Sequence, residues 1–135
     1  MKTFKMKKLE IVANKEDNIE QRHIPLHDGL VINREDEVGW LIEAYIEREY
    51  ATYFKQLEPI EELMIQVKIT REENDPAFFI TKIIAMNEIG DNMMNVIFQG
   101  NIVDHGKGRI EEMLRTILEQ GYQGESLIRK FKEMI

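Results

Sequence analysis

Apolar and polar residues alternate along several stretches of the chain before residue 106. The clearest is ELMIQVKIT, residues 62–70, in which every second residue is an aliphatic one. The same alternation runs through GWLIEAYIE, residues 39–47, and MNVIFQGNIVD, residues 94–104, where Gly100 stands in the apolar row. A period of two is typical of a strand with one buried face. Glycine in such a row indicates a bend or a close approach of another backbone.

The first strand changes phase part-way along. Phe4 and Met6 occupy even positions, whereas Leu9 and Ile11 occupy odd ones. One extra residue in a strand moves all later side chains to the opposite face. We therefore predict a bulge near Lys7-Lys8.

Turn signals separate the predicted strands. Asp28-Gly29 predicts a hairpin, with strands over 21–26 and 30–33 and the turn at 27–29. Glu35-Asp36-Glu37 is expected to form the next loop, and further turns are predicted at Asn74-Asp75-Pro76 and Gly90-Asp91-Asn92. Short strands with little helix between them favour an antiparallel barrel or sandwich over a parallel sheet.

One short helix is predicted between the strands, in REYATYFKQLE. Tyr50, Tyr53, Phe54 and Leu57 recur at helical spacing, and Pro59 ends the pattern. Such an aromatic stripe favours a plug packed on a barrel mouth or a sheet edge. The alternative is a lining for a ligand pocket.

Residues 107–135 predict an antiparallel pair of amphipathic helices, which divides the chain into a core, 1–106, and a helical segment, 107–135. Gly121 marks the end of the first helix. Each apolar stripe is wide enough to bury one face, so the pair either packs on the core or projects to meet a partner. The residues expected to contact a protein partner or a second copy are Ile110, Met113, Ile117, Leu127, Phe131 and Met134.

Composition narrows the classes of function. The 135 residues fit one domain and include no cysteine, which excludes disulfides, thiolate zinc sites and cysteine nucleophiles. The net charge of −7 argues against nucleic acid as a partner. Lysines interrupt the N-terminus before any signal-peptide core, and no apolar run is long enough to span a membrane. We expect a cytoplasmic protein that binds neither membrane nor nucleic acid.

The stretch HIPLHDGLVINREDE holds the first candidate chemistry, a metal site at His23, His27 and Asp28. Pro25 and Gly29 disfavour the helix that would bring both imidazoles onto one ion. On a continuous strand they would lie about 13 Å apart, too far for one ion. A hairpin is the favoured interpretation, and no metal or other cofactor is predicted.

His105 precedes Gly106-Lys107-Gly108 at the predicted start of a helix. His105 could act as a base, and free N–H groups at a helix start attract anions. The spacing matches neither common phosphate-binding glycine motif, and no serine or threonine is marked as a nucleophile. A linker between strand and helix is the favoured interpretation.

Several stretches taken in order resemble the YwpF-like family of bacterial proteins. They are MKTFK, IPLHDGLVINRED, WLIEAYI with the helix after it, IQVKIT, REENDPAFF, FQGNIVD and the helical tail. The resemblance covers essentially the whole chain. It implies a β-barrel core with a C-terminal helix pair, the barrel being similar to those of type VI secretion tube proteins. It implies no catalytic motif.

The sequence therefore predicts a mainly β fold with some helix, namely an antiparallel barrel with a short inserted helix and a C-terminal helix pair. The expected function is that of a non-enzymatic, regulatory protein-interaction module. A small-molecule-binding barrel is the alternative, and an enzyme using His23, His27, Asp28 or His105 is a third. The small-molecule pocket would be lined by Trp40, Tyr45, Tyr50, Tyr53 and Phe54.

Overall fold

The computed structural model describes residues 1–15, 18–34 and 39–135, so the predicted loop at Glu35-Asp36-Glu37 lies outside the described residues. The strands are β1 (Lys2–Lys15), β2 (Asn18–Ile24), β3 (Asp28–Arg34), β4 (Gly39–Glu47), β5 (Leu63–Ile69), β6 (Ala77–Ile89) and β7 (Met93–Val103). A short 3-10 turn, Arg48–Tyr50, leads into α1 (Ala51–Leu57), and the chain ends with α2 (Lys107–Glu119) and α3 (Glu125–Met134).

Six of the described strands close into an antiparallel barrel, in the order β1, β3, β4, β7, β6 and β5. The closing ladder joins β1 to β5 and runs from Met6 opposite Ile69 to Val12 opposite Met64. Its register shifts between Met6 and Lys8, which confirms the bulge predicted from the change of phase. The predicted barrel with a short helix and C-terminal helices is confirmed.

The hairpin predicted at Asp28-Gly29 is wrong. β2 and β3 follow one another along the same edge of β1, with Ile24 opposite Leu9 and Leu30 opposite Lys5. Five residues, 25–29, therefore lie opposite three residues of β1. Pro25 falls in this interruption because proline has no N–H to donate to a ladder.

Gly29 serves a close approach rather than a turn. A Cβ atom at this position would lie 2.8 Å from Cε of Met6, a buried residue of β1. A larger residue here would require the Met6 side chain to shift.

The barrel interior is filled by one cluster of buried side chains, hereafter the interior core. In β4 the predicted alternation holds along the whole strand. α1 places Phe54 against the interior residue Phe98, with ring centroids 6.2 Å apart, so this helix plugs the barrel. The buried members of the interior core are Met6, Leu9, Ile11, Ile24, Val31, Trp40, Ile42, Ala44, Ile46, Phe54, Leu63, Ile65, Val67, Phe79, Ile83, Met94, Val96 and Phe98.

A second cluster lies on the outside of the barrel under the helix pair, hereafter the outer cluster. It buries the second face of β5 as well, so the prediction that this strand has only one buried face is wrong. The reason is that α2 and α3 cover the side of the sheet to which the alternating residues point. The outer cluster comprises Val12, Met64, Phe78, Ile80, Val103, Ile110, Met113, Leu114, Ile117, Leu127, Ile128 and Phe131.

Gly100 of β7 marks the close backbone approach that the sequence predicts. A Cβ atom there would lie 2.1 Å from the carbonyl oxygen of Ile80 on the neighbouring strand. Beyond this point the apolar row does not continue inward as expected. Ile102 is 38% exposed, and Val103 joins the outer cluster instead.

Candidate binding groove

An apolar groove lies where the barrel, the segment after α1 and the helix pair meet, hereafter the apolar groove. Its volume is about 110 Å³. One wall comes from β1, β2 and β5, a second from the end of α1 and the loop after it, and a third from α2 and α3. The lining residues are Val12, Ala13, Ile19, Leu57, Ile60, Glu62, Leu63, Met64, Leu114, Gly124, Glu125, Leu127 and Ile128.

The wall after α1 is attached to α3 by polar contacts. The Glu61 N–H donates to Oε1 of Glu125 over 3.3 Å, and Nζ of Lys132 lies 3.0 Å from Oε1 of Glu62. The Ile60 N–H donates to the carbonyl of Leu57 over 3.0 Å, which forms a tight turn. These contacts hold two half-buried apolar side chains, those of Leu57 and Ile60, at the groove.

The size of the groove limits what fits. A dry engineered cavity of about 150 Å³ is known to hold benzene, and drug-sized ligands need roughly 300–1,000 Å³. A volume of about 110 Å³ therefore suits one branched aliphatic side chain or a group of similar size. Among the described lining residues, Glu62 and Glu125 are the acidic ones, and Glu62 already lies beside Lys132. The Glu125 carboxylate therefore favours a basic neighbour.

The predicted metal candidates are not brought together. His23 is exposed on β2, whereas Nε2 of His27 lies 2.8 Å from Oε1 of Glu47. The Asp28 carboxylate accepts hydrogen bonds from the Lys5 ammonium and from the Gly29 N–H. These bonds, the one from Lys5 foremost, hold the pKa of Asp28 below its usual value. Among residues 1–15, 18–34 and 39–135, no three histidine or acidic side chains gather as a metal site would require.

His105 is exposed between β7 and α2. The Gly106 carbonyl accepts the Ile110 N–H over 3.1 Å, and Nζ of Lys107 lies 3.8 Å from Oε1 of Glu111. The stretch therefore connects a strand to a helix, in agreement with the favoured interpretation.

The five aromatic residues proposed for a small-molecule pocket do not share a cavity. Trp40 and Phe54 belong to the interior core, and Trp40 meets Phe79 edge-on with centroids 5.3 Å apart. Tyr45 points to the opposite side of β4, towards His27. Tyr50 and Tyr53 pack on the interior core from α1 and the turn before it. Tyr45 lies on the opposite face of the barrel wall from Trp40 because β4 alternates.

Tyr53 also contacts a cation, since the guanidinium of Arg22 lies 4.1 Å from the centre of its ring. Desolvation raises the pKa of the Tyr53 hydroxyl. The contact links α1 to β2.

The stripe predicted to contact a partner packs on the barrel instead. Its side chains at Ile110, Met113, Ile117, Leu127 and Phe131 are all buried in the outer cluster. Only Met134, which is 47% exposed, remains at the surface. The physical reason is that β1, β5 and β6 supply the apolar partners that the stripe needs, so these five side chains present no docking surface in this structure.

The comparisons with known proteins decide the family. The sequence model of the family described as YwpF-like protein matches residues 2–134. The chain belongs to the YwpF-like family. The uncharacterized protein YwpF of Bacillus subtilis strain 168 is 35% identical to this YwpF-like chain over 139 residues and spans the whole of both chains.

A solved structure resembles the same YwpF-like chain. A crystal structure of a hypothetical protein from Staphylococcus aureus superposes with a TM-score of 0.71 at 32% identity, covering 99% of this chain and 92% of that one. The family resemblance predicted from the sequence is confirmed. Within the part of the chain that the structure describes, no helix is both long enough and apolar enough to cross a membrane.

Sequence reasoning missed the residues that form the groove. Ile60, Glu61 and Glu62 had no assigned role, and Leu57 was assigned only to the stripe of the inserted helix. A signal was present in β5, where Met64 places a large apolar side chain on the face that alternation assigns to solvent. Such a residue indicates that a second layer covers the strand.

Proposed function

We propose that this YwpF-like chain is a non-enzymatic protein-interaction module whose apolar groove receives one aliphatic side chain of a partner segment. The observation that supports the proposal most directly is the groove itself. It is open and apolar, its volume of about 110 Å³ suits a single side chain, and its two acidic residues lie beside it.

The expected occupant is a peptide segment with a leucine-like or isoleucine-like anchor next to a lysine or arginine. Burying such an anchor contributes roughly 1.5–3 kcal/mol, and a basic neighbour complements Glu125 and the chain's net charge of −7. A small-molecule ligand is the weaker candidate, because drug-sized ligands need several times this volume.

Cytoplasmic location and a regulatory role are part of the proposal. The location rests on the absence of cysteine, which suits a reducing compartment, and the regulatory role on a candidate site suited to binding. The similarity of the barrel to secretion tube proteins stays a prediction. Fractionation of cells that express the full chain tests the location, and recovery in the secreted fraction would contradict it.

A displayed library of random peptides, selected on the immobilised full-length protein, tests the groove. We expect the selected peptides to share an aliphatic residue with a basic neighbour. Their affinity for the Ile60→Lys variant should fall at least about tenfold, because the anchor's roughly 1.5–3 kcal/mol of burial is lost. Titration calorimetry with one selected peptide measures the change.

The matched control is Ile84→Lys, which places the same charge at an exposed apolar residue of β6 outside the groove lining. Its affinity should equal that of the wild type. Selected peptides that lack an aliphatic anchor, or that bind the Ile60→Lys variant as tightly as the wild type, would contradict the proposal. Failure to select any peptide would also count against it.

A further inference from the structure

β2 has a free edge in the described part of the chain. Each of the six barrel strands has a strand neighbour on both sides, whereas β2 pairs only with β1. A free edge presents unpaired backbone N–H and carbonyl groups, which can form a ladder with an added strand.

The space beside β2 is accessible. Asn18 and Gln21 border an open depression of about 480 Å³ between β2 and α2. Asn18, Glu20, Arg22 and His23 are exposed along the strand. The helix pair therefore leaves this part of the strand accessible.

The sequence of β2, NIEQRHI, is complementary to itself when two copies run antiparallel. With Gln21 opposite the same residue of a second copy, Glu20 lies opposite Arg22. Twofold symmetry produces this pair twice, as in any isologous interface. Directly opposed charges of opposite sign stabilise an antiparallel ladder, and like charges destabilise it.

α1 positions one member of each pair. The Arg22 guanidinium lies 4.1 Å from the centre of the Tyr53 ring. Glu20 is two residues away on the same strand, so both side chains point to one face of the sheet. An arginine fixed in this way loses less conformational entropy when it meets a carboxylate.

We propose that β2 is a self-association edge, on which a second copy of this chain docks antiparallel with Gln21 at the twofold axis. The occupant is a second copy because the order of charges around Gln21 matches itself in this register. The proposed dimer does not use the apolar groove for its specificity, so it goes beyond the proposed function.

Sedimentation equilibrium of the full chain, from low micromolar to several hundred micromolar concentration, tests the proposal. We expect a monomer–dimer equilibrium. Glu20→Arg alone and Arg22→Glu alone should each weaken it at least about tenfold, because both attractive pairs become repulsive.

The decisive measurement is sedimentation of a mixture of the two single variants. One copy then carries two positive edge side chains and the other two negative ones, so both pairs become attractive again across a heterodimer. The mixture should regain dimerisation that neither variant shows alone. Circular dichroism of each variant checks that it folds, and Glu112→Arg, an exposed site on α2, is the matched control and should dimerise as the wild type does.

Three results would overturn the proposal. They are a wild-type chain that is monomeric at every concentration, single variants that dimerise as well as the wild type, and a mixture that associates no better than its components. The Ile60→Lys variant separates this test from that of the groove. It should lose peptide binding and keep the dimer, so that either idea can fail alone.

Discussion

The interior core and the outer cluster are built from opposite faces of the same strands, yet they depend on the sequence differently. Every barrel strand contributes to the interior core, by alternation in β4 and by alternation interrupted at a bulge in β1. Among the described residues, the strand side chains buried in the outer cluster come from β1, β5, β6 and the end of β7, where α2 and α3 cover the sheet. The alternation of apolar and polar residues along a strand thus identifies its buried face when the other face meets solvent. It does not reveal a second buried face when a helix covers that side.

The largest effect is expected at Gly100, where the backbones of β7 and β6 approach closely. Gly100→Val would place Cβ against the Ile80 carbonyl oxygen and within 2.7 Å of Cα of Thr81, and neither backbone atom can move alone. We expect a loss of at least about 4 kcal/mol in the free energy of unfolding, measured by urea denaturation.

Gly108→Ala provides the opposite case. A Cβ at this position would meet no atom within 4 Å other than those of its chain neighbours and its own helix, and the residue lies in the first turn of α2. Alanine should stabilise the protein by about 0.5–1 kcal/mol. A tolerated Gly100→Val would mean that the close approach of β6 and β7 is not required.

Removing one phenylalanine from each cluster compares the two directly. Phe98→Ala empties the centre of the barrel and should cost about 3–5 kcal/mol. Phe131→Ala removes a fully buried ring from the outer cluster and should cost about 3 kcal/mol. Chemical denaturation measures both losses.

Hydrogen exchange separates the two changes by location. Phe131→Ala should speed exchange in α2 and α3 while the barrel amides remain protected, because the helices contact only the outer face. Phe98→Ala should lower protection in every barrel strand. Equal loss of protection everywhere in both variants would show that the clusters form one cooperative unit.

Two buried polar side chains, one on each face of the barrel wall, are expected to have smaller effects on stability. Thr81 is buried, and its Oγ1 donates to the Leu63 carbonyl over 2.9 Å. Gln66, on the outer face of β5, is also buried, and its Oε1 has no partner among the described residues. Thr81→Val should destabilise by about 1 kcal/mol, whereas Gln66→Met should stabilise by about 1 kcal/mol.

Thermal denaturation at one pH compares both variants with the wild type. Opposite signs would confirm that hydrogen bonding decides the effect at each site. Destabilisation by Gln66→Met would show that the amide has a partner after all.

The smallest expected effect concerns pH, outside both clusters. The Lys5–Asp28 contact lowers the pKa of Asp28 in the folded protein. A carboxyl with a depressed pKa contributes stability above its unfolded pKa, near 3.8, and loses it as pH falls through the lower folded value. Asp28→Asn should therefore flatten the fall in stability below about pH 4, as measured by urea denaturation across pH.

Asp75→Asn, at an exposed position in the loop before β6, is the matched control and should follow the wild-type curve. If stability below about pH 4 falls as steeply in Asp28→Asn as in the wild type, the contact with Lys5 does not contribute to stability.

Most elements of the fold could be predicted, since alternation and turn chemistry are local. The bulge after Met6 follows from a change of phase within one strand, and the close approach at Gly100 from one glycine in an apolar row. The arrangement of β2 and β3 could not be predicted. The dipeptide Asp28-Gly29 is compatible both with a hairpin turn and, as here, with a strand that passes close to Met6, so the sequence does not distinguish the two.

The candidate groove depends on long-range contacts that no local pattern reports. Glu62 lies next to Lys132 and Glu125 next to Glu61 only because α3 folds back over β5. For the same reason the helix stripe was assigned to a partner, since its real partner is the outer face of the barrel. The apolar residues were identified correctly, and packing on the core was one of the two alternatives between which the sequence does not decide.

The ladder that closes the barrel has a consequence for folding kinetics. β1, at the very start of the chain, pairs with β5, and β4 pairs with β7, with Trp40 opposite Gly100. Contacts this distant in sequence are associated with slow folding, and a chain emerging from the ribosome cannot complete the barrel until β7 has been made. Until then the barrel wall is open between β4 and β6, so part of the interior core is exposed to other chains while the protein is being made.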